Sequence, residues 1–315
     1  MADYMDLYIQ DLKANHASEL SISAYSRVIS DYLSYCSGNG IAAEETVSVA
    51  MWKASLGPAV KLQTVSTYLT YLSGYFRFCC ETLKVIESNP VTRFIMPSAK
   101  KLRNERKPYG DKLLKEDEIG ELLGSSRPAG MKKKTALRNK AIIDTLMTTG
   151  IRNSELRALT PADLHFGDAD TAHIIIRSGK GDKFRIVPFP DAAQTSIKTY
   201  MNSDEYPDGL SAEDVLFGVG DTAAEWHPMN RDNLSLMVKR YVSNATGHDG
   251  VRSHGLRHAF ASELLTHDVT IQNIQSVLGH SSITTTERYA AMLHPQSSAV
   301  NANSLFNSIT KEAIK

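Results

Sequence analysis

Between residues 97 and 112 the chain reads PSAKKLRNERKPYGDK, with Pro97, Pro108 and Gly110 set among dense charge and no apolar periodicity. Such a stretch reads as an exposed linker, so it divides the chain into two bodies that must each bury their own apolar residues. At 315 residues there is material for two cores, and 42% apolar against 22% charged residues is the balance of a soluble globular protein. The expected organisation is a domain over 1–97, a basic linker over 98–111, a second domain over 112–293 and a tail over 294–315.

Upstream of the break the apolar period is helical. SISAYSRVISDYLSYCSGNG carries Ile22, Tyr25, Val28, Ile29, Tyr32 and Leu33 on one stripe, opened by Ser21 and closed by Gly38. LQTVSTYLTYLSGYFRFCCETL repeats the pattern through Val65, Leu69, Leu72, Phe76, Cys79 and Leu83. With MDLYIQDL and VSVAMWKASL these segments predict a small all-helical domain whose aromatic stripes form its core. Downstream the reading is again mainly α, with one interruption. AHIIIRSGKGDKFRIVPFP has β-branched runs flanking SGKGDK, which describes a β-hairpin with Lys180 at its tip between Gly179 and Gly181. The tip is not a phosphate-binding P-loop, because the G-x-x-x-x-G-K-[ST] spacing is absent and a strand follows.

The formal net charge is zero, which by itself argues against a nucleic-acid binder. The distribution argues the other way. Acidic residues gather near the start and around Glu116–Glu121, whereas basic residues cluster at Lys100, Lys101, Arg103, Arg106 and Lys107, at Lys132, Lys133, Lys134, Arg138 and Lys140, and at Lys180, Lys183 and Arg185. A neutral sum can hide a cationic face that follows phosphates. The acidic first residues lack a secretory pattern and no apolar span appears, so a cytoplasmic chain is expected. Cys36, Cys79 and Cys80 are odd in number and lack C-x-x-C spacing, which fits reduced thiols better than a disulfide framework or zinc ribbon.

Three segments share one chemistry. In SHGLRHAFASELL, with Ser253 as cap, Leu256, Phe260 and Leu264 line a buried side while His254 and Arg257, three apart, project from the first turn, where the helix dipole also favours an anion. TTGIRNSELRAL places Arg152 after Gly150 between two helices, with Glu155 one turn on to orient it. VLGHSSITTTERYA ends a helix at Leu278–Gly279, presents His280, and opens a new helix with a Thr284–Glu287 capping box that carries Tyr289. His254, His258, His267 and His280 do not make a zinc site, since H-x-x-x-H here lacks the Glu of H-E-x-x-H and no Cys is near. His258 and His267 read as packing or capping residues.

In residue type, spacing and order, Arg152 in TGIRNSEL, Lys180 in GKGDKFRIVPF, His254 and Arg257 in HGLRH, His280 in LGHSSITTTERY, and Tyr289 resemble the tyrosine recombinases, the phage integrase family, and most nearly its short Xer-like two-domain members. The resemblance covers residues 112 to about 293. It implies a helical-bundle, SAM-like core-DNA-binding domain followed by a mixed α catalytic domain with a small β-hairpin.

The chemistry so implied suits these residue types. Strand exchange is phosphoryl transfer, in which Arg152 and Arg257 would clamp the non-bridging oxygens with planar forks that stay charged, and His280 would add a third contact. Tyr289 would attack phosphorus to give a 3′-phosphotyrosyl link, His254 would take the phenolic proton, and Lys180 would protonate the 5′-oxygen. No ATP, metal or other cofactor is needed. Lys100, Lys101, Arg103, Arg106, Lys107 and Lys183 would follow the backbone of double-stranded DNA. Leu305, Phe306, Ile309 and Ala313 give the tail a helical stripe, which alone would suit packing on its own domain; the resemblance implies that it docks on a neighbouring protomer. The partner set is therefore duplex DNA and further copies of the chain, a monomer or weak dimer when free and a tetramer on two sites, with room for accessory proteins and no membrane. A type IB topoisomerase or hairpin telomere resolvase would share the chemistry, a non-catalytic DNA-binding module would bind without an adduct, and a metal-dependent nuclease would fail in EDTA.

Overall fold

The structure, a computed structural model, describes residues 2–105, 114–125, 128, 130, 132–177, 185–267 and 269–279. The chain forms two units, Met1–Pro108 and Tyr109–Lys315, each with its own hydrophobic core.

The first unit is helical: α1 (Ala2–Ala14), α2 (Glu19–Gly38), α3 (Thr46–Ser55), α4 (Leu62–Arg77) and α5 (Ala99–Glu105). α2 starts one turn earlier than its apolar stripe suggested, because the Ser18 hydroxyl accepts a hydrogen bond from the Ser21 backbone N–H at 3.2 Å and so caps the helix. Val28, Ile29, Tyr32, Leu69, Leu72, Tyr75 and Phe76 are buried at the centre. Tyr32 meets Trp52 and Phe76 edge-on at 5.5 and 5.8 Å, and its hydroxyl donates to the Ala43 carbonyl at 2.7 Å, so the one polar atom this ring takes inside is satisfied. The aromatic stripes are core, as their spacing predicted. α5 was not foreseen in the basic segment. Its cause is local: the Ser98 hydroxyl accepts from the Lys101 N–H at 3.3 Å, and Ala99, Lys100, Lys101 and Leu102 are strong helix formers. Lys100 and Lys101 are exposed on it. Arg103 belongs to the same helix, while Arg106 and Lys107 lie outside the described residues. The three cysteines are free thiols.

The second unit contains α6 (Glu116–Gly124), α7 (Ala136–Thr149), α8 (Asn153–Ala158), α9 (Asp191–Met201), α10 (Arg231–Thr246), α11 (Ser253–Thr266) and α12 (Ile271–Leu278). Its strands are β1 (Leu164–His165), β2 (His173–Ile176), β3 (Arg185–Pro188), β4 (Gly218–Val219) and β5 (His227–Pro228). α7 is the central helix, buried from Ala141 to Thr149 and packed on α9 and α11. Its Thr145, Thr148 and Thr149 hydroxyls donate to carbonyls one turn back at 2.6–2.8 Å, which lets polar side chains sit in the core. The expected hairpin is β2–β3, antiparallel with Ile174 opposite Val187 and Ile176 opposite Arg185; its tip, with Lys180 and Lys183, lies outside the described residues. β1 adds a short third strand, and β4–β5 form a separate ribbon that two-residue strands gave no periodicity to reveal.

The basic run over 132–140 is not a single solvated face. Lys134 pairs with Asp221 in solvent, but Arg138 donates to the Gly218 carbonyl at 3.0 Å, and Lys140 reaches the Leu123 carbonyl at 2.6 Å and buried Asp144 at 2.5 Å. Arg138 and Lys140 therefore hold the fold together. Burial raises the Asp144 carboxyl to about 6, a shift that Lys140 opposes. Among the described residues no helix is long and apolar enough to cross a membrane.

Candidate active site

The site is assembled where α7 ends, α8 and α11 begin, and α12 ends. Gly150 closes α7 in the left-handed conformation, φ 62°, and a Cβ there would lie 2.4 Å from the Phe260 ring and 2.9 Å from Leu278. Only glycine permits both the turn and the approach of α11 and α12. Two residues on, Arg152 occupies the N-cap of α8 with extended backbone. Glu155 answers it as the capping pattern predicts: its Oε2 accepts from the Arg152 backbone N–H at 2.7 Å and its Oε1 from Arg152 Nη1 at 2.6 Å. Arg152 Nη2 donates to the Gly279 carbonyl at 2.8 Å.

The N-cap of α11 is Arg252, one residue before the expected Ser253, whose side chain is buried and accepts from Asn153 Nδ2 at 3.2 Å. That bond ties the starts of α8 and α11 together. Arg257, in the first turns of α11, is only 3% exposed. It donates to the Gly150 carbonyl at 2.5 Å and the Leu278 carbonyl at 2.6 Å. A buried guanidinium is tolerable because the carbonyl ends of two helices carry partial negative charge. His254 lies edge-on to His258, ring centroids 4.3 Å apart. Burial, then the Arg257 and Arg152 charges, push His254 below its ordinary 6.5, which favours the neutral ring. The Asn153–Ser253 bond sets His254, the next residue, at the seam where α8 and α11 begin. His267 caps α11 through the Glu263 carbonyl at 3.0 Å, the structural role its sequence suggested.

Arg185 was grouped with a surface cluster, and the structure corrects that. It is 10% exposed, with Nη1 and Nη2 each 2.8 Å from the two Glu155 oxygens and Nε donating to the Val277 carbonyl at 3.1 Å. Strand alternation carried the signal: Val187 faces inward and Ile186 outward, so Arg185 also faces inward, where a buried cation requires a carboxylate. Burial works to raise Glu155, and the hydrogen bonds from Arg185 and Arg152 outweigh it, holding the carboxyl at about 2.

The structure thus brings Arg152, Glu155, His254 and Arg257 together, with the Gly279 end of α12 among them. Lys180, His280 and Tyr289 lie outside the described residues. Among the described residues no group of three His, Cys, Asp or Glu is arranged to hold a metal ion. Arg152 and Arg185 share one carboxylate, and Arg257 holds helix-end carbonyls, so three guanidinium groups face one carboxylate charge and leave a local excess of positive charge suited to an anion with several acceptor oxygens.

A mainly helical unit with a small antiparallel sheet and this arginine constellation belongs to the phage integrase family, whose model matches residues 112–294. Tyrosine recombinase XerC of Bacillus pumilus (strain SAFR-032) is 28% identical over 294 residues, 90% of each chain. Tyrosine recombinase XerD of Halalkalibacterium halodurans is 31% identical over 207 residues, 65% of this chain and 63% of its own. In fold, the chain is similar to XerH site-specific recombinase bound to palindromic difH substrate in a post-cleavage complex, with a TM-score of 0.72 at 21% identity over 93% of this chain and 81% of that one. A lambda integrase (75–356) dimer bound to a COC′ core site gives a TM-score of 0.63 at 16% identity over 95% and 98%.

Proposed function

We propose that this chain is a tyrosine site-specific DNA recombinase that breaks and rejoins duplex DNA through a 3′-phosphotyrosyl intermediate. The observation that carries the reading is the convergence of Arg152 and Arg257 on the end of α12 that leads into His280, with His254 at the adjoining start of α11. Arg152 and Arg257 hold the scissile phosphate and stabilise the charge on its oxygens in the transition state, with His280 as a further donor; loss of one such donor costs about 3 to 4 kcal/mol of activation free energy. The Tyr289 oxygen attacks phosphorus, its proton passes to neutral His254, the bond from phosphorus to the 5′-oxygen breaks, and Lys180 protonates that oxygen. Attack by a 5′-hydroxyl from the second duplex reverses the sequence and restores a phosphodiester without ATP. Lys100, Lys101, Arg103, Arg106, Lys107 and Lys183 contact the DNA backbone, over two units divided as 1–97 and 112–293 by the basic segment, with 294–315 linking protomers of a tetramer. The working compartment is the cytoplasm, at the nucleoid.

Nicked suicide duplexes drawn from the replicon that encodes the chain test this reading. Wild type is expected to leave a denaturant-resistant protein–DNA adduct in EDTA, and Tyr289→Phe none. Adduct in the variant, or dependence of cleavage on a divalent ion, would overturn it.

A further inference from the structure

We infer that Arg185 is a positioning residue for this reaction: it fixes Glu155, and through it Arg152, against the carbonyl end of α12, and does not contact DNA. The inference rests on the proposed function above.

Glu155 has two oxygens and receives four hydrogen bonds. Oε1 takes Arg152 Nη1 at 2.6 Å and Arg185 Nη1 at 2.8 Å; Oε2 takes the Arg152 backbone N–H at 2.7 Å and Arg185 Nη2 at 2.8 Å. One negative charge is thereby divided between two guanidinium groups. Without Arg185 the carboxylate would pair with Arg152 alone and neutralise the charge that a phosphate must meet. Arg185 also spans three segments of the site. It starts β3, directly after the hairpin tip that carries Lys180; it grips the first turn of α8; and its Nε holds the Val277 carbonyl near the end of α12, three residues before His280. Gly279 is cut to fit it, since a Cβ there would lie 2.9 Å from Arg185 Cδ and 3.1 Å from its Nε. A side chain so enclosed cannot follow a DNA backbone.

Asp163, Arg177 and Glu213 line a small cavity beside Glu155. Arg177 is taken up there by Asp163 and Glu213, so Arg177→Gln serves as a control of equal charge change beside Glu155 in a guanidinium that other carboxylates hold.

Two measurements on the full chain test the inference. In a carbon-detected NMR titration of the free protein, Glu155 in Arg185→Gln is expected to move up from about 2 toward the ordinary carboxylate range, and in Arg177→Gln to stay low. On a suicide duplex that wild type cleaves, Arg185→Gln is expected to bind DNA within about twofold of wild type yet form adduct about 10- to 100-fold more slowly, the cost of misplacing a catalytic group by an ångström. Arg185→Lys, which keeps the charge without the fork, should recover part of that rate, and its readings decide if the glutamine variant does not fold. A loss of adduct matched by an equal loss of DNA affinity would make Arg185 a DNA contact and overturn the inference, as would a wild-type rate. If wild type forms no adduct on any DNA, the proposed function falls, and the titration alone still decides: Glu155 unmoved in Arg185→Gln overturns the positioning role.

Discussion

Glu155 shows at the scale of one residue why buried charge here is structural as well as chemical. Its carboxyl sits at about 2 in the fold against an ordinary 4.5, so the ionised form is favoured by folding. That contribution is fully present above pH 4.5 and is lost as pH falls from 4.5 toward 2; the shift corresponds to about 3 kcal/mol. Glu155→Gln should therefore lower unfolding free energy by about that amount in urea titrations at pH 7. The gap should narrow as the pH approaches 3, and a gap independent of pH would show that the ion pairs contribute nothing. Residue roles were legible where the partner lies nearby in sequence. Arg152 and Glu155 are three apart and one turn of helix explains both. Arg185 was not, because its carboxylate lies 30 positions away, and Arg138 and Lys140 were misplaced on a surface because the carbonyls of Gly218 and Leu123 that hold them come from distant loops.

At the scale of elements, the ends of helices matter more than their middles. α7 and α12 both stop at glycines with left-handed backbone, and the carbonyls released there are the ones Arg257 and Arg152 hold. Gly150→Ala is expected to destabilise the chain by about 2 kcal/mol or more, from left-handed strain plus overlap with Phe260. An unfolding midpoint unchanged from wild type would contradict that packing. Apolar periodicity made α2, α4 and α11 readable, and β-branched runs did the same for β2 and β3. α5 escaped because its helix comes from capping and propensity rather than from an apolar stripe; β1, β4 and β5 escaped because two residues make no period.

For the whole molecule, two separate cores and a basic segment between them match a protein whose parts are assembled on DNA. Residues 300–315 lie outside the described part, and the proposal that they link protomers rests on the family resemblance. A chain ending at residue 299 should bind a single site as wild type does and lose cooperative binding to DNA with two sites in a gel-shift titration; unchanged cooperativity would remove the tail from the assembly. The central claim, that a tyrosine takes the phosphate, has a more direct reading. Protease digestion of the covalent adduct followed by mass spectrometry should find nucleotide mass on the peptide containing Tyr289, and nucleotide on any other residue would contradict the account.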